Sequence, residues 1–416
     1  CTVEPRYFIW ACAATLILAW AIRYFDDPSF WLDEAFIAVS IRERSISSLF
    51  AQLEYGQHFP RIYLASIATL RDIFGYKTQV LRFVPSLCFI AGTLLWARLL
   101  VKRARTSIPP CLIAGSLLIG STYWMDQAVQ LKQYSFDVLL SIIPFILPDD
   151  FFNRTLGDGK DKKLLPLLAI GCFVSYSYPV ALMARSVGWY LYRLRRQERS
   201  LNIRAVASLV LPVSMGMVTI WATDYRFNLL TRGSIESYWK NCILASRLSE
   251  GAISAMKLTA DFIWGWHHGR LMPLVVVAVI PLQIAGVYWA VKRWVSGELD
   301  ENEKRWGSRT LGSLVLLISV VFSSAIISYP ICAGRLTLFA QVHTQILIIE
   351  GALFFSSRPG LKRGGSFCLL PPLSSCSIRS TGTEISYCPS RLITSARCWA
   401  LSGLRSQTPC GSIRVR

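Results

Sequence analysis

The sequence predicts an all-α, polytopic membrane helix bundle, and three observations carry that prediction. Of 416 residues, 53% are apolar and 17% are charged, against about 25% charged in an ordinary soluble domain. Mean hydropathy is +0.41. The apolar residues gather in runs that approach the ~20 residues a helix needs to cross a bilayer. Together these exclude a water-soluble globular enzyme.

The runs fall at 7–25, 80–100, 107–124, 134–148, 163–177, 179–193, 205–222, 271–291, 310–329 and 336–355, which predicts about ten transmembrane helices. The fourth to sixth are short. The chain begins with Cys1 rather than Met, which fits a truncated start. Its first apolar run has no small-residue cleavage site and therefore reads as a retained span rather than a secretory signal.

Lys and Arg in the loops set the orientation. With a cytoplasmic N-terminus, the inner loops 98–106, 149–163, 193–204 and 292–309 hold 18 basic residues in 54 positions. The outer segments 26–79, 125–133, 223–270 and 329–335 hold 13 in 118. A density of one in three against one in nine places the N-terminus inside.

The first outer loop is too long for a simple connector. In residues 34–53, Ala35, Phe36, Val39, Ile46, Leu49, Phe50 and Leu53 recur at helical spacing, with Arg42, Glu43 and Arg44 on the polar side. That is the pattern of a helix lying in the membrane interface. Ile62 to Phe74 is apolar but carries Arg71 and Asp72, which predicts a second juxtamembrane helix, the alternative being a short extra span.

Residues 1–356 read as one transmembrane domain and 357–416 as a separate basic tail. Of the net charge of +19, about +8 belongs to the tail, which holds 12 Ser and 5 of the 12 Cys. Its composition fits an out-of-frame reading of a GC-rich gene or a disordered cytoplasmic tail. The seven earlier cysteines show no metal-like spacing and sit mostly in apolar runs, where a thiol behaves as a small hydrophobe.

Function is concentrated on the outer face. Just after the first span comes Asp26-Asp27-Pro28-Ser29-Phe30-Trp31-Leu32-Asp33-Glu34. The adjacent carboxylates Asp33 and Glu34 suit a general base and a partner that binds substrate or metal. Acids at a helix N-terminus are the plainer alternative. The same face receives His58 and Arg61, Lys132 and Tyr134, Tyr178, Trp239, Arg270 and Arg335. Lys132, Arg270 and Arg335 stand near the outer ends of spans, where cations either snorkel to the interface or hold a lipid phosphate.

These segments resemble the GT-C superfamily of polytopic glycosyltransferases that use polyprenyl-phosphate sugars. The branch in question holds the RgtA/B/C/D-like transferases, the lipid A aminoarabinose transferase and the protein O-mannosyltransferases. Trp31-Leu32-Asp33-Glu34-Ala35 is similar to the family's Asp-Glu signature, and His58-Phe59-Pro60-Arg61-Ile62-Tyr63 to its His-x-Pro-Pro-x-Tyr segment, with Arg61 in place of the second proline. Arg82-Phe83-Val84-Pro85-Ser86 looks like its Arg-x-x-Ser stretch, and Gln130-Leu131-Lys132-Gln133-Tyr134-Ser135 its Glu-x-Lys/Arg-x-Tyr-Ser stretch, with Gln130 replacing the acid. Ser177-Tyr178-Pro179 and Tyr329-Pro330 through Arg335-Leu336 follow in order.

The resemblance implies transfer of a sugar from a polyprenyl phosphate to an acceptor hydroxyl on a lipid or glycan, with inversion. Asp33 would be the catalytic base, with Glu34 beside it. Lys132, with Tyr134, Arg270 or Arg335, would hold the donor phosphate, while His58, Arg61, Tyr178 and Trp239 would position substrate. No cofactor is firmly implied. A divalent ion at Glu34 is the lesser option, and the adjacent His267 and His268 cannot be read as a metal site. The competing classes are a transporter or flippase, disfavoured because no broken spans or inverted repeats are evident, and a surface-polysaccharide ligase. Nucleic-acid binding is not expected, because topology accounts for the basic residues.

Overall fold

The computed structural model describes residues 4–26, 29–53, 57, 59–104, 107–158, 160–164, 168, 170–195, 203–222, 240–264, 272–296, 301–326, 329–331 and 337–357. Every regular element among them is helical. In chain order these are α1 (Arg6–Phe25), α2 (Leu32–Glu43), α3 (Arg61–Phe74), α4 (Thr78–Ala104), α5 (Ile108–Ile119), α6 (Thr122–Ala128), α7 (Tyr134–Ile146), α8 (Asp149–Phe152) and α9 (Gly171–Val174). There follow α10 (Tyr178–Arg195), α11 (Ile203–Ile220), α12 (Leu244–Glu250), α13 (Ala252–Trp264), α14 (Met272–Ser296), α15 (Glu301–Ile326), α16 (Leu338–Gln341) and α17 (Thr344–Ser356). The expected tail, 357–416, lies outside the described residues beyond Ser357.

Among the described residues, five helical segments are long and apolar enough to cross a membrane: Arg6–Phe25, Thr78–Ala104, Ile108–Ala128, Trp306–Ile326 and Leu338–Ser356. α1 shows how such a segment works. Ile9, Cys12, Ala13, Leu16 and Trp20 are buried at helical spacing, while Leu18 and Ile22 on the other side are exposed. One face packs on α4 and α5, and the other suits hydrocarbon.

The expected spans in the middle of the chain come out differently. Tyr134–Ile146 is apolar but short, and at 1.5 Å per residue α7 reaches only about 20 Å. Within 163–177 the described residues form a 3₁₀ turn at Lys162–Leu164 and the four-residue α9, not one continuous helix. α3 begins and ends where a juxtamembrane helix was expected, and it is not among the helices suited to cross.

The expectation for residues 34–53 needs correction in two respects. α2 stops at Glu43, where Arg44 turns to extended backbone, and only a 3₁₀ turn at Ser48–Phe50 follows. Its buried face is Glu34, Ile37, Ala38, Ser40 and Ile41, rather than the stripe through Ala35, Phe36 and Val39. The face turned to the protein carries a carboxylate, which is paired there with Arg82.

Two helix crossings are set by glycine. Gly188 of α10 meets Gly312 of α15, and a methyl group at Gly188 would collide with the Gly312 backbone. Gly286 of α14 and Gly351 of α17 each abut the other helix's backbone, at Leu347 and Leu282 respectively. Small residues let membrane helices approach where lipid supplies no hydrophobic drive. Gly351→Leu is therefore expected to cost at least about 1–3 kcal/mol through overpacking, read as a lower melting temperature and folded yield in detergent. A variant as stable as the parent would mean that this crossing is not close.

The bundle also encloses polar groups. α17 is almost wholly buried, including Gln345 and Glu350. Glu350 accepts from Arg103 of α4, from Arg293 of α14 at 3.2 Å and from the Thr310 hydroxyl of α15 at 3.3 Å. Arg185 of α10 pairs with Asp149, which also accepts from the Ser308 hydroxyl. Arg103, Arg293 and Arg309, counted above as loop charges, are thus helix residues that face inward or along the bundle end.

Two helices are interrupted at matching depth. α5 breaks at Gly120–Ser121 before α6, and α16 breaks at Val342–His343 before α17. Each break lies 12–13 residues from the opposite helix end, on the order of 20 Å along the axis. Gln345 joins them: its amide donates to Ser121 Oγ at 3.1 Å and its carbonyl accepts from Trp96 Nε1 at 2.7 Å. The sequence reading, which saw no broken spans, is corrected on this point. Neither break carries a proline, so hydropathy alone passes over them.

Candidate functional site

α2 begins at the Asp33-Glu34 pair because Trp31 is extended and the acids occupy the first helical turn, where the exposed amides favour negative charge. The two carboxylates then part company. Asp33 is half-buried, whereas Glu34 is 1% exposed. Glu34 reaches back to accept from the Trp31 amide at 3.0 Å, closing the helix N-terminus on itself.

Glu34 also ties α2 to two other parts of the chain. Arg82 of α4 donates to both its oxygens at 3.2 Å, and the Leu131 amide donates to Oε1. Arg82 is itself buried and lies 4.9 Å over the Phe30 ring. A buried ion pair persists only when its remaining hydrogen-bonding capacity is met, and these bonds meet it for Glu34. The residue expected to share the chemistry with Asp33 is thus fully occupied in holding the fold.

Leu131 brings Lys132 with it. Lys132 is 5% exposed, its ammonium 3.2 Å from Gln57 Oε1 and 5.0 Å over the Phe59 ring. Phe59, Tyr63, Leu64, Ile37, Ile41 and Leu131 share one buried cluster, so α2, α3 and the segment before α7 form one wall. Arg61 opens α3 and is buried, with its guanidinium donating to the Leu49 carbonyl at 3.2 Å. That contact ties the 3₁₀ turn to α3. Tyr134 starts α7 and is buried.

Tyr178 is placed elsewhere. Its hydroxyl donates to the Leu168 carbonyl at 2.6 Å, and it packs with Phe152, Leu156, Cys172 and Trp189, a cluster separate from that of Leu131 and Tyr63. His58, Trp239, Arg270 and Arg335 lie outside the described residues.

Three residues in this region were not singled out as site residues beforehand. Arg82 stood inside a quoted motif, as did Tyr63, whose hydroxyl is buried without a hydrogen-bond partner among the described residues. Burial pushes the Tyr63 phenol well above its ordinary range, with Cys88, Asp137, Glu34 and Tyr134 adding to the effect, so it is neutral and able to donate. The third is Asp137, one helical turn beyond Tyr134. It accepts from the hydroxyls of Ser175 and, at 3.2 Å, Ser177, pinning the chain before α10 onto α7. Its signal in the sequence was a lone acid within an apolar run.

Among the described residues no three His, Cys, Asp or Glu side chains gather as a metal would require. What the described residues do show is a buried Glu34–Arg82 ion pair that bonds the segment before Lys132 to the first turn of α2, the turn that also carries Asp33. No protein-family model matches the chain, and no curated protein or solved structure shows significant similarity to it.

Proposed function

We propose that the chain is a multi-pass membrane glycosyltransferase that moves a sugar from a polyprenyl-phosphate donor to an acceptor hydroxyl at the outer membrane face, with inversion. The observation that carries this reading is the bond between Glu34 and Leu131. It joins the residue that follows Asp33 to the residue that precedes Lys132, across 97 positions of sequence. A base and a phosphate-binding cation are thereby held in neighbouring segments.

In this reading Asp33 takes the proton of the acceptor hydroxyl as its oxygen bonds to the anomeric carbon. The bond from that carbon to the phosphate oxygen breaks, and polyprenyl phosphate leaves with the electron pair, its charge met by Lys132. A phosphate needs charge stabilisation more than a proton, so one carboxylate suffices where glycosidases use two. About ten crossings with a cytoplasmic N-terminus put this wall outside, as the loop charges favour. The donor, a lipid or glycan acceptor and bilayer lipid are the partners, and no cofactor is needed.

Lys132→Ala is expected to raise the donor KM about 10- to 100-fold, the worth of a charged hydrogen bond, with a smaller change in kcat. Steady-state kinetics on a purified polyprenyl-phosphate sugar would check this. An unchanged donor KM removes Lys132 from the phosphate role.

One observation favours transport as a second reading. Helix breaks that face each other inside the bundle, bridged by Gln345 and Ser121, are the way transporters build substrate sites. Counterflow of a lipid-linked sugar in proteoliposomes without any covalent product would favour transport over transfer.

A further inference from the structure

We infer that Glu34 and Arg82 are positioning residues that set the spacing between Asp33 and Lys132, and that Glu34 is not itself a catalytic group. This rests on the reading of Asp33 as the base and Lys132 as the phosphate cation, and it assigns Glu34 a different part from the one its motif suggests. The Glu34 carboxylate is bonded on every side by the chain: to the Trp31 amide, to the Arg82 guanidinium and to the Leu131 amide. At 1% exposure it offers no face to substrate.

The three bonds define a geometry. The Trp31 contact fixes the first turn of α2, and so fixes where Asp33 leaves the backbone. The Leu131 contact fixes the segment whose next residue is Lys132. Arg82 bonds the carboxylate between them and is itself part of α4, a 27-residue helix. Ser86, one turn along α4, donates to the Ala128 carbonyl at 3.3 Å, giving the same segment a second tether. The clasp thus ties the start of α2 and the segment before Lys132 to the same long helix.

A positioning role and a chemical role leave different kinetic marks. Misplacing reacting groups by about 1 Å can cost on the order of 100-fold in rate, while the donor still binds through Lys132. Glu34→Leu is therefore expected to lower kcat about 100-fold with the donor KM within about threefold. Glu34→Gln keeps the shape and the acceptor for Leu131 but loses the charge that Arg82 meets, so it should fall between Glu34→Leu and the parent. Arg82→Met should resemble Glu34→Leu.

The geometry can be read without activity. In a chain carrying Asp33→Cys and Lys132→Cys in nanodiscs, a short bismaleimide should link the two positions, identified by mass spectrometry. Adding Glu34→Leu or Arg82→Met should cut the yield of that link several-fold, and adding Glu34→Gln should cut it less. Should the leucine variant fail to fold, the Glu34→Gln comparison decides.

An unchanged link and unchanged kcat in a folded Glu34 variant would overturn the inference. So would a rise in donor KM with kcat unchanged, since Glu34 would then touch the donor. If instead Asp33→Asn proves fully active while the link still depends on Glu34, the clasp stands and the assignment of Asp33 as base falls.

Discussion

Asp33→Asn is expected to lower the proposed sugar transfer by at least about 100-fold, the low end of what a positioned base contributes, and to leave the fold in place. The argument has two sides. The loss of rate follows because asparagine cannot take the acceptor proton. The survival of the fold follows from position: Asp33 is half-buried in the first turn of α2, where an acid is worth about 0.3–1 kcal/mol against the helix dipole. Asn is almost isosteric, so packing is kept. Equal melting temperatures with transfer lost would match the proposal, and equal transfer would remove Asp33 from the chemistry.

Glu350→Ala has the largest expected effect on stability. Glu350 is 1% exposed at the middle of α17, and its carboxylate meets two guanidiniums, Arg103 and Arg293, and the Thr310 hydroxyl. Four helices converge on this one side chain. Removing one partner of a buried ion pair costs about 3–5 kcal/mol because the charge left behind is unmet. Apolar substitution of both members of a pair is often close to neutral. The double variant Arg103→Met with Glu350→Leu should therefore lose less than Glu350→Ala alone, although Arg293 still needs a partner. Thermal unfolding in detergent would check the order, and a double variant less stable than Glu350→Ala would show that the pair adds net stability.

How much of this was legible in the sequence depends on the element. α1 and α4 announce themselves because about 20 consecutive apolar residues have few other uses. α3 was legible from Arg71 and Asp72 interrupting an apolar run. The face of α2 was not. Periodicity assumes that carboxylates look outward, and Glu34 looks inward because Arg82, 48 residues away, neutralises it; nothing in a local window shows that partner. The same blindness left the partners of Gln345 and Glu350 unseen within the expected run at 336–355, because Trp96, Arg103 and Arg293 lie far away in sequence. The breaks at Ser121 and His343 escaped because hydropathy continues across them.

The candidate site divides in the same way. Asp33 and Lys132 were found through motif order, and their supports meet through Glu34. Tyr178 was placed on the outer face by its position between spans, yet its hydroxyl is spent on Leu168, and Arg61 serves to fasten a turn. Position on a face says which side of the membrane a residue reaches. It does not say whether another part of the chain has already claimed it.

The most direct test of the central proposal is donor consumption. Purified protein in nanodiscs would be given polyprenyl-phosphate hexoses and pentoses in turn, with membrane lipid and glycan acceptors, and release of polyprenyl phosphate followed by mass spectrometry. The proposal expects at least one donor to be consumed, one equivalent of product with inverted anomeric configuration, and neither with Asp33→Asn. Equal consumption by Asp33→Asn, or folded protein that neither binds nor consumes any donor, would contradict it.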